Sequence, residues 1–232
     1  MNATNTKRER KKARRAERLA AERAAAKRQQ MHRRVRLGLL ALLVVGAVVA
    51  AALFMVRGAD ATLGVPAAEV SGEAPSLPPP PAEQGAEDPA VGSTAPQVTG
   101  YDPDGEPVQI GGTGQPQALS FLAHWCPHCQ DEVPEVVEWV EEGNLPSGVD
   151  LVAVSTQHDP ARPNWPPDRW LADEGWQGPV LVDHDLTASE AYGARGTPFW
   201  VFVDGEGTVV ARHPGRLTMA QLADYVDALE PG

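Results

Sequence analysis

Short apolar runs recur along the second half of the chain, separated by turns rich in Gly, Pro and Asp. Runs of this length with many Val, Leu and Phe residues predict buried strands. The Gly-containing acidic turns at 102–105 and 204–207 predict hairpins. Strands are predicted at 97–101, 108–110, 118–123, 149–155, 179–182, 199–203 and 208–212.

Between several of these strands, apolar residues recur three and four positions apart, which is the spacing of one helix face. After Cys126, valines recur three and four positions apart with acidic residues on the opposite face, until Gly143 and Asn144 end the pattern. The apolar face consists of Val133, Val136, Val137 and Val140. Shorter helices are predicted at 168–174, 188–192 and 219–229. Because strands alternate with helices, residues 95–232 are predicted to form an α/β domain with a central mixed sheet flanked by helices.

A wholly apolar segment, 37–56, precedes this domain. At a rise of about 1.5 Å per residue its length matches a hydrocarbon core of about 30 Å, which predicts a single transmembrane helix. A cleaved signal peptide is the alternative, since Ala59, Asp60 and Ala61 have the small-x-small form of a cleavage site. The apolar stretch is longer than a usual signal-peptide core, which favours an uncleaved signal-anchor.

Charge divides sharply about this segment. Residues 1–36 carry 14 Lys/Arg and 3 Asp/Glu, a net charge of +11, whereas residues 57–232 carry 6 and 28, a net charge of −22. The excess of basic residues predicts a cytoplasmic tail over 1–36 and an extracytoplasmic domain. The tail has no aromatic residue to stack on bases, which disfavours a nucleic-acid-binding arm. Residues 57–94 are rich in Ala, Glu, Gly and Pro and are predicted to be a disordered linker.

The chain has only two cysteines, Cys126 and Cys129. Two are too few for a disulfide scaffold or a four-cysteine zinc site, so the pair indicates local redox chemistry. They follow a predicted strand and open a predicted helix, whose free N–H groups and dipole stabilise a thiolate. We expect Cys126 to be the exposed nucleophile and Cys129 the more buried resolving thiol in dithiol–disulfide exchange, which requires no cofactor.

The residues beside the sulfurs are predicted to tune this pair. Pro127 suits the first helical position because it needs no N–H partner. His128 lies between the cysteines, where an imidazole favours the Cys126 thiolate and makes the disulfide more oxidising. Trp125 is assigned to the same tuning group, whereas His124 is interpreted as a solvated residue.

The string FLAHWCPHC at 121–129, followed by QDEVP, resembles the thioredoxin superfamily, and within it the TlpA/ResA-like membrane-anchored thiol–disulfide oxidoreductases. The resemblance covers about residues 95–230 and implies a thioredoxin-like fold. The stretch GARGTPFWVFVDGEG is similar to the family's Gly-x-Thr-Pro segment, which implies that Pro198 is cis and that Thr197 presents its backbone to the substrate. Glu132 matches a family glutamate that assists proton transfer to the buried cysteine.

Two departures bear on the direction of electron flow. Ser120 stands where thioredoxin itself has a buried Asp, and the Pro-His dipeptide resembles DsbA-type oxidants. The preferred interpretation is a reductase of cysteine pairs in extracytoplasmic proteins, with cytochrome c maturation as one setting and a membrane thiol carrier as the electron donor. A DsbA-like oxidant that introduces disulfides is the alternative.

A metal-binding chaperone on the same fold is the alternative from another class. Soft ligands for copper or zinc are available in the motif, from His124, Cys126, His128 and Cys129. His158, His184 and His213 belong to no motif, and the sequence leaves the role of residues 165–176 open.

Overall fold

A computed structural model describes residues 64–229 of the 232-residue chain, apart from residues 73, 82, 84 and 85. The predicted basic tail, 1–36, and the predicted transmembrane helix, 37–56, lie outside the described residues. Within the described part, every helix is too short or too polar to cross a bilayer.

Eight strands and four helices make up the described chain. In chain order they are β1 (Glu69–Ser71), β2 (Gln97–Tyr101), β3 (Pro107–Ile110), β4 (Gln117–Leu122), α1 (Pro127–Glu141), β5 (Asp150–Thr156), α2 (Pro167–Asp173), β6 (Val180–Asp183), α3 (Thr187–Tyr192), β7 (Phe199–Val203), β8 (Val209–Pro214) and α4 (Met219–Asp227). All the predicted strands and helices are present, with bounds that differ by a few residues at most. Strand β1 is an addition to them.

Five of the strands form the central sheet, in the order β6-β5-β4-β7-β8. Strands β4, β5 and β6 are parallel to one another, whereas β7 is antiparallel to β4 and to β8. The sheet is therefore mixed, as predicted. The strands β1, β2 and β3 form a second, antiparallel sheet.

The alternation of side chains along the central strands builds a core on each face of the sheet. On β7, Phe199 and Val201 join the core that α3 and the small sheet cover, and Trp200 and Phe202 join the core beneath α1 and α4. The central strand β4 is buried along its whole length. Its carboxyl end is therefore a rigid platform for the residues that follow it.

The predicted disordered linker, 57–94, differs from the structure over its described part. Strand β1 pairs with β2, and the Leu77 side chain is only 6% exposed. The Leu77 amide donates a hydrogen bond of 2.8 Å to the Ala191 carbonyl. A segment with few apolar residues is ordered here because those few dock on a core that the rest of the domain has already built.

An ion pair fixes the end of the same segment. Asp88 accepts hydrogen bonds from Arg212 Nη2, at 2.5 Å, and from Arg212 Nε, at 2.9 Å. The Arg212 side chain is fully buried, and its Nη1 also donates to the carbonyls of Pro78 and Tyr192. Composition could not predict this contact, because the two partners lie 124 residues apart in the chain.

Candidate active site

The two cysteines lie at the junction of β4 and α1. Cys126 is the N-cap of α1, with extended backbone angles, and Pro127 occupies the first turn without an unmet N–H. The Cys126 amide donates to the Ala123 carbonyl at 2.9 Å, and its own carbonyl accepts from the Gln130 amide at 3.0 Å. No side chain caps the helix, so its first N–H groups and its positive dipole end are left to act on the Cys126 sulfur.

The two cysteines, Cys126 and Cys129, differ in environment. Cys126 keeps 6% of its surface exposed and Cys129 keeps none, so the difference has the predicted direction, although Cys126 is less exposed than expected. Burial raises the pKa of the Cys129 thiol far above its ordinary value, and the nearby Cys126 sulfur adds to the rise. Cys129 therefore stays protonated until a base assists it.

The Thr197–Pro198 segment lies directly against the nucleophile. The Thr197–Pro198 peptide bond is cis, and the Cys126 thiol donates a hydrogen bond of 3.3 Å to the Thr197 carbonyl. Thr197 is half-buried while Pro198 is buried at the start of β7. A backbone acceptor next to the sulfur is the arrangement that an extended substrate segment needs for pairing; this substrate role of Thr197 and Pro198 stays a prediction.

Glu132 lies one turn after Cys129 on the buried face of α1 and is fully buried. Its Oε1 accepts hydrogen bonds from the Leu217 amide, at 2.6 Å, and from Trp200 Nε1, at 3.1 Å. Burial raises the pKa of Glu132 to about 7, against the lowering effect of those two donors. A carboxyl group with this pKa can both take and return a proton near neutral pH.

The other tuning candidates are exposed or half-buried. Pro127 and His128 are exposed at the helix start, where His128 is free to approach an incoming sulfur. Trp125 is half-buried: its Nε1 donates to the Gln157 carbonyl at 2.7 Å, and the Arg162 guanidinium lies 4.7 Å from its ring centre. Their tuning roles stay predictions.

His124 is buried, which corrects the interpretation of a solvated residue. Its Nδ1 lies 2.6 Å from the Pro163 carbonyl, and its Nε2 accepts from the Asp159 amide at 3.3 Å. The Asn164 side chain donates to the His124 carbonyl at 3.2 Å. The ring is thus occupied on both nitrogens by a loop that lies about 35 residues farther along the chain. Local sequence carries no signal for this contact.

The loop 157–166 closes one side of the site through these contacts. Trp165 packs edge-on against the rings of His124 and His158, and its peptide bond to Pro166 is cis. Burial lowers the pKa of His158 to about 4, with further lowering by the neighbouring histidines His124 and His184. The sequence left the role of residues 165–176 undecided. In the structure, Trp165 at the start of this region packs against His124, which directly precedes the Trp-Cys-Pro-His-Cys motif.

The metal-binding alternative finds no matching cluster among the described residues. No group of three or more His, Cys, Asp or Glu side chains there is arranged to hold a metal ion.

Sequence reasoning also missed Trp200 and Leu217, the two donors to Glu132, because they lie 68 and 85 residues away from it in the chain.

Comparisons with known proteins find relatives in sequence and in fold. The redoxin family model matches residues 90–229. The thiol-disulfide oxidoreductase ResA of Bacillus subtilis is 26% identical over 149 residues, which cover 64% of this chain and 80% of that protein. ResA of Halalkalibacterium halodurans is 25% identical over 131 residues, covering 56% and 72%. A thioredoxin-family thiol:disulfide interchange protein from Chlorobium tepidum superposes with a TM-score of 0.50 at 22% identity, over 62% of this chain and 99% of that one, and shares the fold.

Proposed function

The chain belongs to the redoxin family, and from this premise we propose that it is a protein thiol–disulfide oxidoreductase of the ResA-like, reductase type. One observation carries the proposal: the Cys126 sulfur, at a helix N-terminus, lies 3.3 Å from the backbone carbonyl of Thr197. This arrangement places the Cys126 sulfur at the positive end of a helix dipole with a backbone acceptor beside it, which suits attack on a disulfide in an extended polypeptide.

The first step forms a mixed disulfide. The Cys126 thiolate attacks one sulfur of the substrate disulfide, the substrate S–S bond breaks, and the displaced sulfur leaves as a thiolate that takes a proton from solvent. The Thr197 carbonyl and Pro198 hold the substrate segment in place. Cys126 remains bonded to the substrate through a single S–S bond.

The second step releases the reduced substrate. Cys129 loses its proton with Glu132 as the general base, and the resulting thiolate attacks the Cys126 sulfur. A Cys126–Cys129 disulfide forms, and the second substrate sulfur leaves and is protonated. In total the substrate gains two electrons and two protons, and an external dithiol must reduce the protein before the next cycle.

Serine variants test the two roles. Cys126→Ser is expected to abolish exchange, and Cys129→Ser is expected to accumulate mixed disulfides that non-reducing gel electrophoresis resolves. Cys126→Ser serves as the matched control, since it lacks the attacking sulfur and should trap nothing. Normal turnover by Cys129→Ser would rule out its resolving role.

The reduction potential decides the direction of electron flow. A value for the Cys126–Cys129 pair near that of thioredoxin, about −270 mV, supports a reductant. A value near that of DsbA, about −120 mV, supports an oxidant that introduces disulfides and assigns the dominant influence to His128. Glutathione redox equilibrium with the full chain measures it, and His128→Ala shows how much of the value the imidazole sets.

We further infer an anchored, extracytoplasmic protein. The apolar segment 37–56 supports a single-pass membrane anchor, and the basic tail supports a cytoplasmic N-terminus. Substrates are then extracytoplasmic proteins with cysteine pairs, cytochrome c precursors among them, and the donor is a membrane thiol carrier. Protease accessibility of residues 64–229 in intact cells and in spheroplasts tests this topology.

A further inference from the structure

The two oxygens of the Glu132 carboxyl group have different surroundings. Oε1 accepts two N–H hydrogen bonds, from Trp200 Nε1 at 3.1 Å and from the Leu217 amide at 2.6 Å. Oε2 is buried and has no hydrogen-bond partner among the described residues. Two donors from separate elements, β7 and the turn before α4, thus hold one side of the carboxyl group.

This asymmetry decides where a proton can reside. A proton on Oε1 would point at one of two N–H donors that already occupy its lone pairs, which would cost at least one of those hydrogen bonds. A proton on Oε2 displaces nothing. The neutral acid therefore carries its proton on Oε2, while Oε1 remains the acceptor in both ionisation states.

We propose that Trp200 is a positioning residue for the exchange reaction: its indole N–H, together with the Leu217 amide, holds Oε1 of Glu132 so that Oε2 is the oxygen that takes up and returns a proton during the resolving step. The inference rests on the proposed function, because it specifies the oxygen that acts in the second step. Trp200 acts only through Glu132.

The indole is itself held firmly. Trp200 is fully buried and stacks on Phe202, with ring centres 6.0 Å apart and planes within 7°. It lies on β7, directly opposite Ser120 of β4, the strand that leads to the cysteines. The donor to Glu132 and the nucleophile are thus attached to adjacent strands of one sheet.

The charged groups around Glu132 do not replace the hydrogen bond from Trp200 Nε1 to Glu132 Oε1. Arg216 favours the Glu132 carboxylate and Glu135 disfavours it, and these two form an ion pair with each other. Cys129 lies one turn earlier on α1. None of the three donates a hydrogen bond to Glu132, so loss of the Trp200 donor removes a direct stabilisation of the carboxylate.

The Trp200→Phe variant of the full chain tests the proposal. The readout is the pH dependence of the rate at which the second glutathione leaves the mixed disulfide formed with oxidised glutathione. Because a hydrogen bond to the ionised form is lost, we expect the midpoint of the profile to move up by about one pH unit. Trp139→Phe is the matched control, since Trp139 is a nearly buried indole on α1 with no bond to Glu132, and it should leave the midpoint unchanged.

The following results would overturn the inference. An unchanged midpoint in Trp200→Phe removes the positioning role, and an equal shift in Trp139→Phe assigns the effect to general packing. A Glu132→Gln variant that keeps the wild-type profile removes the proton role of Glu132 from the proposed function as well. If the pH dependence disappears in Glu132→Gln but its midpoint is unchanged in Trp200→Phe, the positioning role of Trp200 is wrong and the proton role of Glu132 stands.

A measurement on the unaltered protein covers the case in which Trp200→Phe fails to fold. The Trp200 indole N–H resonance, followed by 15N–1H NMR, should titrate with the same midpoint as the Glu132 carboxyl carbon. The Trp139 resonance should stay constant over that range. A Trp200 resonance that does not respond while Glu132 titrates overturns the proposal.

Discussion

At the scale of single residues, burial acts on Cys129 and Glu132 in the same direction. It raises the pKa of the Cys129 thiol and brings the pKa of Glu132 to about 7. A thiol that resists ionisation thus lies one helical turn from a carboxyl group that is partly ionised near neutral pH. In the proposed mechanism this pairing supplies the resolving step with a base, and neither group is exposed to solvent.

The raised pKa of Glu132 has a consequence for stability. Between pH 4.5, the ordinary pKa of the group, and about pH 7, the folded state keeps a proton that the unfolded state releases. The bound proton therefore adds to the free energy of unfolding; this stabilisation is full below pH 4.5 and is lost as the pH rises through 7. Glu132→Gln stays neutral and keeps the acceptor for Trp200. We expect it to exceed the wild type in free energy of unfolding by about 1–3 kcal/mol at pH 8.

Urea denaturation at several pH values measures this difference, which should vanish near pH 4.5. Glu138→Gln, an exposed glutamate on the same helix, is the control and should follow the wild type throughout. A Glu132→Gln protein that is no more stable than the wild type at pH 8 would contradict the burial argument.

The residues that the sequence could identify are those whose signal is local. Cys126, Cys129 and Glu132 share one strand–helix junction, and their spacing alone places them together. Trp200 and the loop around His124 were not predictable, because their contacts join segments tens of residues apart. Burial of His124 in particular depends on a loop whose composition indicates only an irregular connection.

At the scale of elements, the periodicity of apolar residues predicted the strands and helices because each element buries one or both of its faces in the hydrophobic core. The segment before β2 escaped this reasoning, since its order comes from β1 and from the Asp88–Arg212 ion pair. Burial disfavours the ionised Asp88, but hydrogen bonds from Arg212 and from the Ala90 amide, together with the charge of Arg212, outweigh it and lower the pKa of Asp88. The pair therefore stays ionised at neutral pH.

Removing this charge should loosen the segment. Asp88→Asn leaves the fully buried Arg212 guanidinium without its counter-charge, and we expect a loss of about 3 kcal/mol in the free energy of unfolding at pH 7. A lowered folded pKa means that the wild-type advantage is present above the ordinary value of 3.8 and is lost as the pH falls through the folded value. The two proteins should therefore converge in strong acid.

Thermal unfolding from neutral to acid pH measures this convergence. Asp173→Asn is the matched control, because it breaks an exposed ion pair with Arg169 and should cost less than about 1 kcal/mol. Equal losses in the two variants would show that the burial of Arg212 adds nothing to the strength of its pair.

At the scale of the whole molecule, the order of elements predicted the mixed sheet, and the motif at 121–129 indicated the thioredoxin-like fold. What the sequence could not supply is the attachment of the preceding segment to the far edge strand, where Arg212 of β8 meets Asp88. That attachment depends on tertiary packing between the two ends of the described chain.

The same attachment decides how the domain responds to tension. A pull applied to the chain at Gly64 first loads the contacts of β1, of the Leu77 amide and of Asp88, three attachment points that precede β2 in the chain. These contacts would have to break before the force is carried by β2 and the strands that follow it. Force from the N-terminal side therefore reaches these contacts before it reaches the segment that carries Cys126 and Cys129.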